Sequence, residues 1–332
     1  MILITGTYPP ERCGVGDYAQ HLMQTATGQS WTLFYRHEWR WSNLRTYLAD
    51  LRLVEDRVVN LQYPTMGYGT SLVPHVLVLL AVLLLRKRLY ITVHEYSQLG
   101  WKGKMALNTL FLFAKDIVFT TSLELDCARK HNPWMRKGQV VKIRSNIPAV
   151  PSIPMNQRPW DVGYFGYIRP LKGLEEFVAV AEQLQQAGKR VYVMGQTQPE
   201  FESFHRPLLQ RLEQKGIVYI GSASQEEVAQ QIANTKIMYL PYPDGLSERR
   251  GSFLAAVVNG SAVVSRPGAF TSQQQQEKFA LVQPVEAYAQ IEAWLQDEQW
   301  LGQQQRNSLT YAAECVPTSW EQITQAYHRI MQ

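Results

Sequence analysis

Two arginines stand at the start of a helix-like run in the second half of the chain. Arg249 and Arg250 follow a strand-like run and a polar turn, and Gly251-Ser252 then open an apolar stretch at 253–258. Free backbone N–H groups at a helix N-terminus and guanidinium groups both bind phosphate oxygens. The segment therefore predicts a phosphate or diphosphate site. An ordinary strand-to-helix connection with solvated arginines is the alternative.

A glycine-rich loop follows the first strand-like run. Residues 6–16 end in Gly14 and Gly16, which allow close approach of the backbone to a ligand, and Asp17 is predicted to cap the next helix. The spacing is not Gly-x-Gly-x-x-Gly, so the dinucleotide-binding fingerprint is absent. A plain glycine turn is the alternative here.

His94 comes directly after the strand-like residues 89–93. Ligands of parallel α/β sheets bind at the carboxyl ends of the strands, so an imidazole at such an end is a candidate for catalysis or binding. A lone histidine is also commonly structural, and the sequence leaves both interpretations open.

The elements that would position these residues alternate between strand and helix. In the first half the strand candidates are residues 1–5, 31–35, 57–62, 89–93, 116–120 and 139–143. The helix candidates are residues 17–27, 43–53, 71–86, 102–114 and 122–131, the last with Ser122 as its N-cap. Regular alternation of this kind predicts an α/β fold with a parallel sheet covered on both faces.

The second half repeats the alternation after a proline-rich segment. Its strand candidates are residues 161–167, 190–195, 217–221, 236–242 and 262–265. Its helix candidates begin at residue 174 and at Phe253 and include 225–234, 286–297 and 306–331, whereas the run Gln273–Gln276 is predicted to be polar surface. Four prolines between Pro148 and Pro159 indicate a linker, because neither helices nor central strands tolerate that density.

Composition excludes several classes of protein. The 332 residues suit two domains, and the three scattered cysteines, without Cys-x-x-Cys, argue for reduced thiols and against a zinc site. The N-terminus has no basic start and no cleavage motif, so it is predicted to be a first strand. Residues 1–150 carry 18 Lys+Arg against 10 Asp+Glu, and the remainder carries 15 against 18. A basic first half favours an anionic partner.

Two further segments leave alternatives open. The apolar run 72–85 is too short to span a bilayer, so a buried helix is favoured over an interfacial anchor. Residues 36–45 mix arginines with Trp39 and Trp41, which suits a membrane interface, a sugar-stacking surface or a solvated loop.

Six motifs occur in one order along nearly the whole chain. They are GVGDY at 14–18, VHEY at 93–96, SNIP at 145–148, GYFGYIRPLKG at 163–173, YIGSASQEEVAQQI at 219–232 and LPYPDGLSERRGSFLAAVVNGSAVVS at 240–265. The ordered set resembles the retaining nucleotide-sugar glycosyltransferases of the GT-B fold, in particular glycosyltransferase family 4.

The resemblance implies a fold of two Rossmann-like parallel-sheet domains facing a cleft. We expect an acceptor domain at 1–150, a linker at 151–160 and a donor domain at 161–305. A C-terminal helix at 306–332 is expected to return to the N-terminal domain.

The resemblance also implies roles for individual residues. Arg169 and Lys172 would hold the donor diphosphate, and His94 would lie near the transferred sugar, which makes these three the predicted catalytic residues. The other predicted donor-binding residues are Gly14, Val15, Gly16, Gly195, Gly221, Ser222, Ser247, Glu248, Arg249, Arg250, Gly251 and Ser252. The resemblance places the first three of them near the donor phosphates or the acceptor.

One departure from the family concerns two glutamates eight positions apart. The corresponding positions are Ser247 and Ala255, neither of which is acidic. In the family the first glutamate contacts the donor sugar and the second the ribose. Glu248, one residue away from the first position, is a candidate substitute.

The predicted activity is retaining, metal-independent hexosyl transfer from a nucleotide-sugar to a glycan or lipid-linked glycan acceptor, with no cofactor, no metal site and no nucleic-acid partner. The alternatives are a GT-B-type epimerase or phosphorylase and a non-catalytic subunit that binds sugar or nucleotide.

We expect a cytoplasmic protein that docks peripherally at the inner face of an anionic membrane through its basic first half. The residues predicted for that contact are Arg86-Lys87-Arg88, Lys102, Lys104, Arg129-Lys130, Arg136-Lys137, Trp39, Trp41, Trp101 and Trp134.

Overall fold

The computed structural model describes residues 1–11, 13–26, 31–133, 135 and 137–332. The chain divides into two compact units. Unit 1 comprises Met1–Ile143 and Pro317–Gln332, and unit 2 comprises Arg144–Val316.

Unit 1 contains a six-stranded sheet in which every pairing is parallel. Its strands are β1 Ile2–Thr5, β2 Thr32–Tyr35, β3 Val58–Tyr63, β4 Arg88–Val93, β5 Ala114–Phe119 and β6 Gln139–Val140, in the order β2-β1-β3-β4-β5-β6. The central strands are almost wholly buried, as expected for parallel strands covered on both faces, and β3 and β4 include the buried polar residues Asn60, Gln62 and Thr92.

Six α-helices of unit 1 are described. They are α1 Gly14–Thr25, α2 Leu44–Leu53, α3 Val73–Leu83, α4 Trp101–Phe113, α5 Ser122–His131 and the last helix of the chain, α13 Trp320–Met331. Helix α13 packs against α1, and its buried residues Ile323 and Tyr327 share a cluster with Leu3 and Tyr18. The end of the chain therefore completes the core of unit 1.

Unit 2 contains a second six-stranded sheet, also parallel throughout. Its strands are β7 Trp160–Phe165, β8 Val191–Met194, β9 Val218–Ile220, β10 Thr235–Leu240, β11 Ala262–Ser265 and β12 Ala280–Leu281, in the order β12-β11-β10-β7-β8-β9. Its helices are α6 Leu174–Gln186, α7 Glu202–Gln214, α8 Gln225–Ala233, α9 Gly251–Val258, α10 Gln273–Lys278, α11 Ala287–Leu295 and α12 Glu298–Cys315. The predicted α/β class with two Rossmann-like parallel sheets is confirmed.

The proline-rich segment before β7 is fixed by one buried arginine. Arg158 is 1% exposed and donates to the carbonyl oxygen of Thr235 at 2.8 Å and to the hydroxyl oxygen of Ser152 at 3.0 Å. Burial lowers the pKa of Arg158 to about 10. Its bonds join the segment to the start of β10.

Several local predictions are wrong, each for a reason visible in the backbone. The predicted helix 306–331 is two helices, because Pro317 has no N–H to continue α12 and Ser319 caps α13 by accepting from Gln322 N–H. The N-cap of α5 is Thr121, whose side chain accepts from Glu124 N–H, and Ser122 is the first helical residue.

The glutamine run predicted as polar surface forms the helix α10, in which Gln273 and Gln276 are exposed. Ser272 and Gln275 form a capping box at its start, and Gln275 is fully buried. A capping box satisfies two N–H groups at the helix start, which stabilises even a helix this short.

Trp39 and most of the apolar run 72–85 contribute to the core of unit 1, whereas Trp41 is 58% exposed. Trp39 is 6% exposed and meets Tyr47 and Tyr68 edge to face, so it forms neither a membrane nor a sugar-stacking surface. Helix α3 buries six of its residues, which confirms the buried-helix interpretation of the apolar run.

Candidate functional site

The loop between β7 and α6 carries the first pair of predicted phosphate ligands. Arg169 and Lys172 are both half-buried there, and the Arg169 guanidinium carbon lies 5.9 Å from the ring centre of Tyr167. The Nε atom of Arg169 is buried and has no hydrogen-bond partner in the described part of the chain. Tyr164, on β7, donates to the carbonyl oxygen of Lys172 at 3.1 Å and so anchors the loop to the sheet.

The loop between β10 and α9 carries the second pair. Asp244 forms ion pairs with both arginines, with Arg250 at close range and with Arg249 at 3.6 Å. Each guanidinium also lies over an aromatic ring, Arg249 at 4.9 Å from Phe270 and Arg250 at 4.7 Å from Tyr242. Asp244 therefore offsets part of the positive charge of this loop, and the two arginines are held in fixed positions.

Helix α9 begins directly after Arg250 without a capping side chain. A Cβ atom on Gly251 would meet no heavy atom within 4 Å, so the helix start faces open space. The Tyr242 hydroxyl is bonded to Ser252 Oγ at 2.7 Å and to the N–H of Phe253. Burial raises the pKa of Tyr242 to about 12, whereas these bonds and Arg250 lower it. The N–H groups of Gly251 and Ser252 bond to no described residue, so this helix start is suited to an anion.

The two cationic loops touch each other at the carboxyl edge of the sheet. Strands β7 and β10 are paired neighbours, and a Cβ atom on Gly173 would overlap the carbonyl oxygen of Pro241. Burial raises the pKa of Tyr164, and Arg250 and Arg169 both act to lower it. The contact between Gly173 and Pro241 holds the loop of Arg169 and Lys172 beside the loop that leads through Arg250 to the α9 N-terminus, and these two loops form the cationic cluster of unit 2.

Of the two positions where the family carries glutamates, neither is exposed. Ser247 is 3% exposed, with its Oγ lacking a hydrogen-bond partner among the described residues, and Ala255 is fully buried. Glu248 is half-buried and lies near the Tyr311 hydroxyl, whose pKa is raised first by burial and then by Glu248. Tyr311 itself packs against Phe253 in α9.

The remaining predicted residues of unit 2 follow β8 and β9. Gly195 lies against the cationic loop, because a Cβ atom there would overlap the carbonyl oxygen of Gly166, and it accepts from Tyr219 Oη at 2.9 Å. Gly221 and the exposed Ser222 follow the edge strand β9, two strands away from β7. Gly195 therefore contacts the cationic loop, whereas Gly221 and Ser222 lie farther away, after the edge strand of the sheet.

In unit 1 the predicted glycine loop is the first turn of a helix. Helix α1 starts at Gly14, and Asp17 donates its backbone N–H to Cys13 O at 2.9 Å inside the helix, so the prediction that Asp17 caps it is wrong. The N-cap is Cys13, whose side chain makes no capping bond. A Cβ atom on Gly16 would lie 3.2 Å from the Thr7 carbonyl group, which explains the small residue there.

His94 is buried rather than exposed at its strand end. It is 7% exposed, its Nε2 lies 2.9 Å from Gln62 Oε1, and its ring meets Tyr18 edge to face at 5.2 Å. Burial lowers the pKa of His94 to about 3, so the ring is neutral at physiological pH. A neutral imidazole in this position is suited to hydrogen bonding and not to electrostatic stabilisation of an anion.

His94 belongs to a polar network that the sequence interpretation missed. Gln62 donates to Asn60, Asn60 bonds Thr92 at 3.1 Å, and Thr92 lies 3.0 Å from the hydroxyl of Tyr327 in α13. Polar residues at alternate positions could have revealed this network, because residues 60 and 62 lie on β3, residue 92 lies on β4 and residue 94 follows β4 directly.

Within the described residues, no group of three or more His, Cys, Asp or Glu side chains is placed to hold a metal ion. The groups available to neutralise a bound diphosphate are the cations and helix N–H groups of unit 2. Metal independence itself stays a prediction.

Comparisons with known proteins identify the fold. No family model matches the chain, and no curated protein matches it in sequence. Among solved structures, HepE of Anabaena in complex with UDP and glucose is similar at a TM-score of 0.71 and 12% identity, covering 99% of this chain and 98% of that one. Sucrose-phosphate synthase of Thermosynechococcus elongatus is similar at 0.71 and 15% identity, covering 99% and 97%.

A glycosyltransferase from Rickettsia africae is similar at a TM-score of 0.72 and 10% identity, covering 99% of this chain and 97% of that one. These matches extend over nearly the full length of both chains in each pair. The fold of this protein is therefore GT-B.

Proposed function

We propose that the protein is a glycosyltransferase that moves a sugar from a nucleotide-sugar to a glycan or lipid-linked glycan acceptor. The observation that carries the proposal is the cationic cluster of unit 2, where the loop of Arg169 and Lys172 touches the loop that opens α9. The GT-B fold supports the proposal. The ligands of a similar structure also support it, since HepE has been solved in complex with UDP and with UDP-glucose.

Within the cluster, Arg169 and Lys172 are proposed to bind the donor diphosphate. Asp244 already pairs with Arg249 and Arg250, which offsets part of the positive charge of the second loop. Arg250 and the N–H groups of α9 would complete the contact from the opposite side. We assign Gly195, Gly221 and Ser222 to the nucleoside, because they follow the neighbouring strands on the same edge.

The proposed reaction retains the anomeric configuration. The bond from the anomeric carbon to the diphosphate oxygen breaks, and the acceptor oxygen bonds to the same face of that carbon. The departing diphosphate takes the proton of the acceptor hydroxyl. Arg169, Lys172 and the start of α9 would stabilise the charge that develops on the leaving group, which is the task a metal ion performs in other enzymes.

Unit 1 is proposed to bind the acceptor. The uncapped first turn of α1 at Gly14, Val15 and Gly16 offers N–H groups for an anionic or hydroxyl-bearing ligand. His94, neutral and bonded to Gln62, would act as a hydrogen-bonding partner of the sugar and not as a charged acid.

A second candidate is a subunit that binds a nucleotide-sugar without turnover. The observation in its favour is the absence of a carboxylate at the buried positions Ser247 and Ala255. Such a protein would keep the diphosphate site and lose the contacts to sugar and ribose.

The two candidates differ in product formation. The purified protein is incubated with a panel of nucleotide-sugars, with and without glycan and lipid-linked acceptors, and free nucleoside diphosphate is measured. Release that requires an acceptor, with a product of the donor's anomeric configuration by NMR, supports the transferase. Tight binding without release favours the subunit, and release that requires inorganic phosphate indicates a phosphorylase.

A further inference from the structure

Helix α4 presents an apolar stripe to solvent. Trp101, Met105 and Leu112 are 67%, 61% and 64% exposed, and their spacing of four and seven residues places them on one face of the helix. The opposite face holds the buried Leu107 and Leu110. Large exposed apolar side chains in a row are uncommon on soluble domains and mark a contact surface.

Positive charges flank the stripe. Lys102 and Lys104 lie on either side of it by helical spacing, and Lys115 follows the helix at its end. Helices α3 and α4 contain no Asp or Glu. An apolar stripe bordered only by lysines, with a tryptophan at one end, is typical of a helix that lies in the interface of an anionic bilayer.

A basic groove lies next to the end of α3. Its volume is about 720 Å³, and it is lined by the exposed Arg45, Arg52 and Arg57, by the one carboxylate Glu55, and by Leu84 and Leu85. These three guanidiniums have no ion-pair partner within the described ranges of the chain. Guanidinium groups beside exposed leucines suit the phosphate and the acyl chains of a lipid.

The groove and the stripe belong to one layer of helices. Helix α3 packs against α2 on one side and against α4 on the other. Leu83 and Leu84, at the end of α3, are 61% and 64% exposed and continue the apolar surface between the two features. The layer thus combines exposed apolar side chains with a groove in which three arginines stand against one carboxylate.

We propose that the α2–α4 layer of unit 1 binds the surface of a membrane that contains anionic phospholipids. Trp101, Met105 and Leu112 enter the boundary between headgroups and acyl chains, and the three arginines of the groove hold lipid phosphates. None of the described helices is long and apolar enough to cross a membrane. The proposal does not depend on the glycosyltransferase assignment.

The layer differs from the surface expected from charge alone. Lys87 is 7% exposed and donates to the carbonyl oxygens of Val54 and Asp56 at 2.8 and 2.7 Å, so it is unavailable to lipid. The buried Trp39 is likewise excluded, while Trp134 and Arg136 lie outside the described residues.

Vesicle flotation tests the proposal with the full chain. Phosphatidylcholine vesicles with and without phosphatidylglycerol are compared for the natural protein, Trp101→Ser/Met105→Ser, and Arg45→Gln/Arg52→Gln/Arg57→Gln. The matched control is Val218→Ser/Val285→Ser, which removes two exposed apolar side chains of unit 2. Tm and nucleotide binding are also measured for every variant. Both should be unchanged, because all the changed residues are exposed and lie outside the diphosphate cluster.

We expect binding that requires phosphatidylglycerol. The arginine variant should bind about 100-fold more weakly, since each basic residue near an anionic surface contributes roughly fivefold. The Trp101/Met105 variant should lose about tenfold or more, and the control should bind normally. The proposal is overturned if the natural protein does not bind anionic vesicles or if the variants bind as it does. It also fails if the Trp101/Met105 variant instead converts a dimer to a monomer in light scattering.

Discussion

Gly173 lies directly against the carbonyl group of Pro241, and a Cβ atom at this glycine would overlap the Pro241 oxygen. The φ angle of Gly173 is +80°, a conformation that residues with a side chain rarely adopt. This contact holds the loop of Arg169 and Lys172 beside the start of α9. The proposed diphosphate site thus depends on one position that has no room for a side chain.

Gly173→Ala should destabilise the protein by about 3 kcal/mol or more, because it adds a steric overlap to the strain of a positive φ. Gly188→Ala is the matched control, since its φ is +76° and a Cβ atom there would meet nothing within 4 Å. The control should cost only about 1–2 kcal/mol. Urea unfolding of both variants measures the difference, and equal losses would show that the Pro241 contact contributes nothing.

His94 should make stability depend on pH. Its pKa is about 3 in the folded chain against an ordinary 6.5, so the folded state excludes a proton that the unfolded state binds. The contribution of neutral His94 to the free energy of unfolding is complete above about pH 6.5 and is lost as pH falls toward 3. At pH 5 about 2 kcal/mol of it has been lost. Chemical denaturation at pH 7.5 and at pH 5.0 gives the drop in the free energy of unfolding between the two pH values. This drop should be about 2 kcal/mol smaller for His94→Gln than for the natural protein. An unchanged difference would contradict the burial of a neutral ring.

The hydroxyl of Tyr327 lies 3.0 Å from Thr92 Oγ1 and 3.1 Å from the Tyr18 hydroxyl, both buried. Tyr327→Phe leaves these partners with fewer bonds and should cost about 1–3 kcal/mol. Tyr63→Phe is the control, because the Tyr63 hydroxyl makes no hydrogen bond to any described residue. Thermal unfolding should show a lower Tm only for the first variant. Similar Tm values for the two variants would mean that the hydrogen bonds of Tyr327 do not stabilise the packing of α13 against the sheet.

Gly251→Asp tests whether the start of α9 binds an anion. The position has open space, and a carboxylate in the first turn of a helix is favourable, so Tm should be unchanged or higher. The same charge should repel a bound diphosphate and weaken nucleotide affinity by about tenfold or more. Gly251→Asn, of equal size and no charge, should bind within about threefold of the natural protein. If the two variants bind alike, the diphosphate lies elsewhere.

Much of the fold could be predicted because its strands are apolar runs bounded by turn residues, and such runs give a strong local pattern. Helix α7 was missed, since Leu212 is its one wholly buried residue and Pro207 stands inside it. A periodic pattern of apolar residues arises only where a helix buries one face, and α7 has too few buried side chains to produce one. The break between α12 and α13 was missed although Pro317 indicated it.

The candidate site was predictable in its residue types and not in its pairings. The sequence indicated Arg249 and Arg250 as phosphate ligands, but their shared ion pair with Asp244 depends on how the loop turns back on itself. The approach of the Tyr242 hydroxyl to Ser252 at the helix start depends likewise on the path of the chain. Contacts of this kind are set by tertiary packing, which periodicity does not report.

The most direct test of the account is nucleoside diphosphate binding by Arg169→Ala/Lys172→Ala, measured by calorimetry with the tightest ligand among UDP, GDP and ADP. Lys189→Ala/Lys215→Ala removes the same charge from unit 2 outside the proposed site and is the control. We predict that the Kd of the first variant rises about 100-fold or more, because two charge-assisted contacts are lost, while the control stays within about threefold. An unchanged Kd in the first variant, or an equal rise in the control, would contradict the assignment of the diphosphate to this cluster.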